Sequence, residues 1–459
     1  MNVALDLGTT RVKAARLDAD GRPEEIVAED APPPAGADLV REVDPEAYAE
    51  AVERALDRAG ASAPGADVRL GLASQRSSFV VWERATARPK TSIVSWQDRR
   101  AAAWCDARPE LAARLPTLTG LPLSPHYFAP KLACVREERP DLRDGLDRGD
   151  LVAGTLDAWL LARWSGGGAG RTDVTMAART LLVALGGADW DDGLLAEFGL
   201  SRAALPNVGP STGIGPETSA GRFGLLGAAL SDQASGLLAA LGDADGAVIN
   251  LGTGCFVLVP SGSTPRAVPG YLAGPWLAPA HGAIRYAIEG TVNAGGAVAD
   301  RFGPPPTDVP DVDPAPDAFC LPDAAGVGAP YWRPAVPLTF SAAALAAEDA
   351  TRRRAVLEGL AFRVRGILAD LGPVPGAVRV SGGLANDPFI PASLAAVLGR
   401  PVTVVDEPEA TLLGVAGLLS GRSPVPSGTT VEAHAMPWLR AKYERWSEWL
   451  SALLHESKG

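Results

Sequence analysis

Runs of apolar residues broken by turn chemistry mark strands at the start of the chain. Val3–Leu7 and Val12–Asp18 are β-competent, and Asp18-Ala19-Asp20-Gly21 closes the second. From 45 to 59 the apolar period becomes helical: Tyr48, Val52, Ala55, Leu56 and Ala59 share one face. Asp44 suits the cap of that helix, Pro45 its first turn and Gly60 its end. Strand character returns at Val68–Ala73 and Phe79–Trp82. The second half repeats the pattern, with strand Ala247–Leu251, a turn at Gly252-Thr253-Gly254, and strand Cys255–Val259. Helices are expected at 286–301, 350–371, 388–398, 409–420 and 440–455, with strands at Ala377–Ser381 and Val402–Val405. The Pro- and Asp-rich tract Gly303–Asp317 and the stretch Ser423–Gly428 read as surface connections. Mixed strands and helices of this kind indicate an α/β fold.

Two segments resemble each other across the chain. Val3-Ala4-Leu5-Asp6-Leu7-Gly8-Thr9-Thr10 and Val248-Ile249-Asn250-Leu251-Gly252-Thr253-Gly254 both run strand, Leu-Gly-Thr, strand. A repeat at this distance fits two related domains facing each other, and 459 residues exceed what one core usually organises.

Composition narrows the partners. A net charge of −12 without a basic cluster argues against nucleic acid or an anionic membrane. No apolar run approaches the roughly 20 residues that span a bilayer, and the first residues lack the pattern of a signal peptide. Cys105, Cys134, Cys255 and Cys320 lie far apart and fit thiols of a reducing compartment, so a cytoplasmic location is expected.

The Gly-Thr turns carry the first chemistry. Glycine lets backbone N–H groups and threonine hydroxyls approach an anion closely. Asp6, entering the turn, suits Mg²⁺ directly or through water, and Lys13 follows within reach of the same edge. An ordinary hairpin with Asp6 at a strand end is the competing reading. No Gly-x-x-x-x-Gly-Lys-Ser/Thr loop occurs, and Gly166–Gly170 reads as a connection.

Further pieces follow in order: Ser74-Gln75-Arg76, Ser95-Trp96-Gln97-Asp98-Arg99-Arg100, Gly154-Thr155-Leu156-Asp157 and Thr172-Asp173-(x)4-Ala178-Arg179-Thr180. Then come Asp232-Gln233, Gly252-Thr253-Gly254-Cys255-Phe256, Gly328-Ala329-Pro330-Tyr331-Trp332 and Ser381-Gly382-Gly383. With the two hairpins, this series resembles the FGGY family of carbohydrate kinases, its glycerol kinase branch most closely. The resemblance implies an actin/hexokinase-like (ribonuclease H-like) fold, with a substrate-side domain at 1–228 and an ATP-side domain at 229–459. It also implies phosphoryl transfer from ATP, with Mg²⁺, to a hydroxyl of a small polyol or sugar.

By that resemblance Asp232 is the catalytic base, although a helix cap is an alternative for it. Thr9, Thr10, Lys13, Gly252 and Thr253 are expected at the phosphates, Asp6 and Asp232 at the metal, and Gly295, Gly383 and Asn386 along the nucleotide. Arg76, Ser77, Trp96, His126, Asp232, Gln233 and Phe256 match acceptor-pocket positions. Ser77 stands where the family has a carboxylate, and His126 where it has a tyrosine, with Tyr127 adjacent. Since a site that bonds a given hydroxyl discriminates against analogues lacking it, these departures leave glycerol as acceptor open. A ketopentose kinase of the xylulokinase type is the rival, favoured by Phe128-Ala129-Pro130-Lys131-Leu132. A non-catalytic ATP-binding regulator of the actin superfamily is the alternative of another class. A homodimer is compatible with the sequence.

Overall fold

The computed structural model describes residues 1–62, 67–213, 218–252, 254–294, 296–303, 309–422, 425–434 and 436–456. Two sheets dominate it, and they share one wiring. In the first, the order is Leu225–Ser231, Arg69–Ser74, Asn2–Leu7, Arg11–Leu17, Pro23–Asp30. The last three strands form an antiparallel meander, and Arg69–Ser74 and Leu225–Ser231 add in parallel. In the second, Gly246–Leu251, Cys255–Gly262 and Arg285–Val292 form the meander, and Ala377–Ser381 and Val402–Val405 add in parallel. Edge strands Leu272–Leu277 and Gly428–Val431 extend that second sheet. The common order of strands is the structural form of the repeat seen in the sequence. In the first sheet the two parallel strands are buried on both faces, as their largely apolar stretches require.

Local signals act as expected at several points. Helix Pro45–Arg58 is capped by Asp44, whose carboxylate accepts the Ala47 N–H at 2.9 Å, and it buries Tyr48, Val52, Ala55 and Leu56. The expected helix at 286–301 is the main departure. Residues Arg285–Val292 form a strand between Cys255–Gly262 and Leu272–Leu277, and only Gly296–Ala299 is helical. Tyr286, Ile288 and Val292 are rich in β-preferring shapes, and two flanking strands supply the hydrogen bonds a helix would otherwise make internally.

One core cluster joins the two sheets. Helices Asp232–Leu241 and Ala410–Ser420 lie side by side, tied by the Ser235 hydroxyl donating to the Thr411 carbonyl at 2.6 Å. Leu412, Val415 and Leu419, from the end of the chain, pack with Ala4, Ala73 and Leu230 of the first sheet. A shared apolar layer therefore links the two sheets. Among the described residues, no helix is long and apolar enough to cross a membrane.

Candidate active site

The first hairpin is fixed from beneath. A Cβ on Gly8 would lie 2.4 Å from the Arg11 carbonyl oxygen, so only glycine fits the turn. The Gly8 carbonyl accepts from the Tyr48 hydroxyl at 3.0 Å and from Gln75 Nε2 at 3.1 Å. Thr9 donates to Gln75 Oε1 at 3.1 Å and accepts the Trp96 indole N–H at 2.8 Å. Helix 45–58, strand 69–74 and the Trp96 segment thus converge on two turn residues. Thr10 is exposed at the tip.

Asp6 and Lys13 face each other across the hairpin. The Lys13 ammonium is held by both oxygens of Glu409, at 2.7 and 2.6 Å, just before the helix Ala410–Ser420. Burial and the charge of Asp232 push the Asp6 carboxyl up to about 7, with Lys13 opposing. Two carboxylates that repel each other in a partly buried place fit a divalent cation, since Mg²⁺ takes one or two carboxylates and keeps several waters. Among the described residues, no group of three or more His, Cys, Asp and Glu side chains forms a larger metal cluster.

The second hairpin mirrors the first. The Gly252 N–H donates to the Gly254 carbonyl at 3.0 Å. Gly382 has φ +94° and lies against the Leu251 backbone, where a Cβ would come within 2.6 Å, so Ser381-Gly382-Gly383 packs onto this turn. Thr253 and Gly295 lie outside the described residues. Gly383 and Asn386 sit exposed on one short 3₁₀ segment. Buried Arg353 braces it by reaching Asp387 at 3.4 Å, Asp300 at 3.1 Å and the Gly303 carbonyl at 2.9 Å.

Asp232 opens the helix Asp232–Leu241 directly after strand Leu225–Ser231. The N-cap position belongs to Ser231, and the Asp232 carboxylate accepts from Gln233 N–H at 2.7 Å. Burial raises its pKa, and Arg76, at 3.8 Å, opposes that shift. Upstream, Asp173 caps the short helix Val174–Ala177, and Thr175 of that helix accepts the Ser231 N–H at 2.8 Å. The Thr172-Asp173 motif therefore holds both the start of the Asp232 helix and Arg179.

Arg76 meets a carboxylate absent from the sequence reading. Glu289, on strand Arg285–Val292, receives Arg76 at 3.0 Å and Arg179 at 2.5 Å. Burial pushes its carboxyl up, but the two guanidiniums pull it down to about 2. Around this trio stand Trp96, His126 and Tyr127, the His126 ring centroid lying 5.6 Å from Trp96 and 5.5 Å from Tyr127. Burial, with Lys131 and Arg76 nearby, pushes His126 down to about 3, so it is neutral near pH 7. Ser77 is buried at φ +66°, and its Oγ has no hydrogen-bond partner among the described residues. Gln233 and Phe256 are half-buried, Phe256 lying opposite Asn250 and Thr291 in the second sheet.

The structure brings Asp6, Thr9, Lys13, Arg76, Trp96, His126 and Asp232 into one connected set. Gln75 and Arg179 stand inside motifs quoted from the sequence, yet their partners come from distant segments. Tyr48 reads as a core residue of its helix, and Glu289 and Glu409 carry no local signal. Cys255 is buried beside the turn, and burial pushes its thiol up to about 12.

Paired Gly-Thr hairpins on twin sheets, with an acid at a helix start between them, define a phosphotransferase of the actin/hexokinase-like class. Residues 1–239 match the FGGY family of carbohydrate kinases, N-terminal domain, and residues 307–420 match the C-terminal domain of the same family. The chain belongs to the FGGY family of carbohydrate kinases, and it is an ATP-dependent kinase of glycerol kinase-like type. A glycerol kinase from Thermus brockianus is 35% identical over 442 residues, covering 90% of this chain and 88% of its own. A glycerol kinase from Xanthobacter autotrophicus is 33% identical over 493 residues, covering 98% of each. Among solved structures, Plasmodium falciparum glycerol kinase with ADP aligns with a TM-score of 0.84 at 19% identity, covering 99% of this chain and 98% of that one. A xylulose kinase from Lactobacillus acidophilus aligns at 0.83 with 19% identity, covering 99% of each chain. Likeness at that identity speaks for the fold alone.

Proposed function

We propose that this kinase phosphorylates a terminal hydroxyl of a small polyol, with glycerol the first acceptor to test and Asp232 the base. The observation that carries the reading is the placement of Asp232. It opens a helix directly after the first sheet, its charge acts on Asp6 of the first hairpin, and Arg76 lies 3.8 Å from its carboxylate. Its raised pKa makes it a better proton acceptor than a solvated aspartate.

In the reaction, the acceptor O–H bond breaks, its proton passes to Asp232, and the oxygen bonds to the γ-phosphorus of ATP. The bond from that phosphorus to the β–γ bridging oxygen breaks, ADP leaves, and Asp232 returns its proton to solvent. Arg76 and Gln233 hydrogen-bond acceptor hydroxyls, while Trp96 and Phe256 pack on its C–H faces. Thr9, Thr10, Lys13 and the Gly252–Thr253 turn hold the phosphates, and Gly295, Gly383 and Asn386 the rest of the nucleotide. Asp6 and Asp232 would hold Mg²⁺, which when bound neutralises phosphate charge. Glu409 positions Lys13, and Gln75 with Tyr48 positions the first turn.

The division at 228/229 into acceptor-side and ATP-side domains belongs to this proposal; the two sheets of common order support two domains, while strand Leu225–Ser231 of the first sheet runs across that boundary. A cytoplasmic location is supported by four buried, unpaired cysteines. A ketopentose acceptor is the second reading, favoured by Ser77, whose unpartnered hydroxyl stands where a carboxylate is expected. A coupled ADP-release assay over polyols and ketoses tests both readings. If no acceptor raises turnover above the background ATPase, the proposed function fails.

A further inference from the structure

Lys131 lies within the helix Phe128–Glu138 and is fully buried. Its Nζ donates to the carbonyl of Ser77 at 2.9 Å and to that of Ser95 at 2.8 Å. Both partners are backbone oxygens, and burial pushes the ammonium down to about 7. Buried lysines are rare because the charged form loses its hydration, so one here needs a reason. The reason lies in the neighbours: Ser77 follows Arg76, and Ser95 precedes Trp96. The segments carrying them also meet at the ladder pair Phe79–Val94 and where Trp96 N–H donates to Ser78 Oγ at 2.9 Å. Ser77 holds a left-handed backbone at φ +66°, a conformation that persists in a non-glycine residue only when its surroundings enforce it.

We infer that Lys131 is a positioning residue for the acceptor pocket: it clasps the two backbones that carry Arg76 and Trp96 and so fixes one segment relative to the other. The clasp works from behind the pocket wall. Protonated or neutral, the amine has at least two N–H donors for two carbonyls. The inference rests on the reading of this pocket as the acceptor site.

Lys131→Met removes both donors at nearly constant length. Hydrogen exchange by mass spectrometry would follow 74–78 and 94–97, and kinetics would vary acceptor and ATP separately. Exchange should quicken in those two segments and stay unchanged in the second hairpin. Acceptor kcat/KM should fall about 10²-fold, the scale of a ~1 Å misplacement, with the KM for ATP within about 2-fold. Lys442→Met is the control, since Lys442 is also buried but pairs with Glu358 at 2.8 Å in the second half of the chain. It should lower stability without a selective loss for the acceptor.

Unchanged exchange in both segments overturns the inference, whether or not an acceptor is known. Equal losses for ATP and acceptor overturn it too, because they describe a general packing role. If no acceptor stimulates the unsubstituted enzyme, the reading of the pocket fails instead, and the exchange result alone decides the clasp. Should Lys131→Met not fold, Lys131→Gln, one bond shorter and able to reach at most one carbonyl, takes its place with the same expected direction; wild-type exchange in that variant overturns the clasp.

Discussion

Replacing Glu289 with Gln tests the ionic centre of the cleft. The carboxylate is 2% exposed, and its Oε2 takes both Arg76 and Arg179. Burial alone would raise its pKa, yet the guanidiniums bring it from 4.5 to about 2. A folded value below the unfolded one means stability that is present above pH ~4.5 and lost as pH falls toward ~2. That gap corresponds to about 3 kcal/mol at neutral pH. Removing one partner of a buried ion pair costs about 3–5 kcal/mol on independent grounds, so the two scales agree. Glu289→Gln keeps the shape but leaves two buried guanidiniums facing a neutral amide. Urea denaturation followed by circular dichroism from pH ~3 to ~8 should show a deficit of about 3 kcal/mol above pH ~5, falling to about half of that by pH ~3. A deficit under about 1 kcal/mol at neutral pH, the range of an exposed pair, would refute the reasoning. So would a deficit indifferent to pH.

Asp232→Asn should lower kcat at least ~10²-fold, the usual scale for a general base, while ATP still binds by calorimetry; an unchanged kcat removes Asp232 from its role. Trp96→Phe deletes the indole N–H bond to Thr9, worth about 1 kcal/mol or roughly 5-fold. Both ATP and acceptor kinetics should shift, and a change confined to the acceptor would show that Trp96 does not steady the phosphate turn. His126, held near 3, stays neutral between pH ~5 and ~8. The pH profile of acceptor kcat/KM should therefore keep its shape in His126→Gln, and a lost inflection would contradict the burial argument. Cys255, pushed up to about 12, should resist iodoacetamide at neutral pH in the folded enzyme, with alkylation counted by mass spectrometry.

The residues legible in the sequence are those whose environment is set within a few positions. Gly8-Thr9-Thr10 can be read because a tight turn must use glycine where a Cβ would strike Arg11. Helix 45–58 can be read because Asp44, Pro45 and its apolar face agree. The illegible ones owe their roles to partners far along the chain: Glu409 lies 396 residues from Lys13, and Glu289 lies 213 from Arg76. Glu289 is hidden twice, since reading 286–301 as a helix assigns that carboxylate no place in the cleft. As the strand Arg285–Val292, between two others, the same residues bring it against Arg76 and Arg179.

The missing carboxylate after Arg76 therefore has two consequences that the sequence separates poorly. A guanidinium as enclosed as that of Arg76 needs a counter-charge; Asp232 stands 3.8 Å from it, and a second acid, Glu289, meets it at 3.0 Å. The fold supplies that acid from the second sheet, and with it a bond between the halves of the cleft. Glu289 thus settles the charge of Arg76, but it does so by sharing one oxygen between two guanidiniums. The hydroxyl-accepting capacity lost at Ser77 is a separate quantity, and it is the one on which the choice between glycerol and a larger acceptor turns.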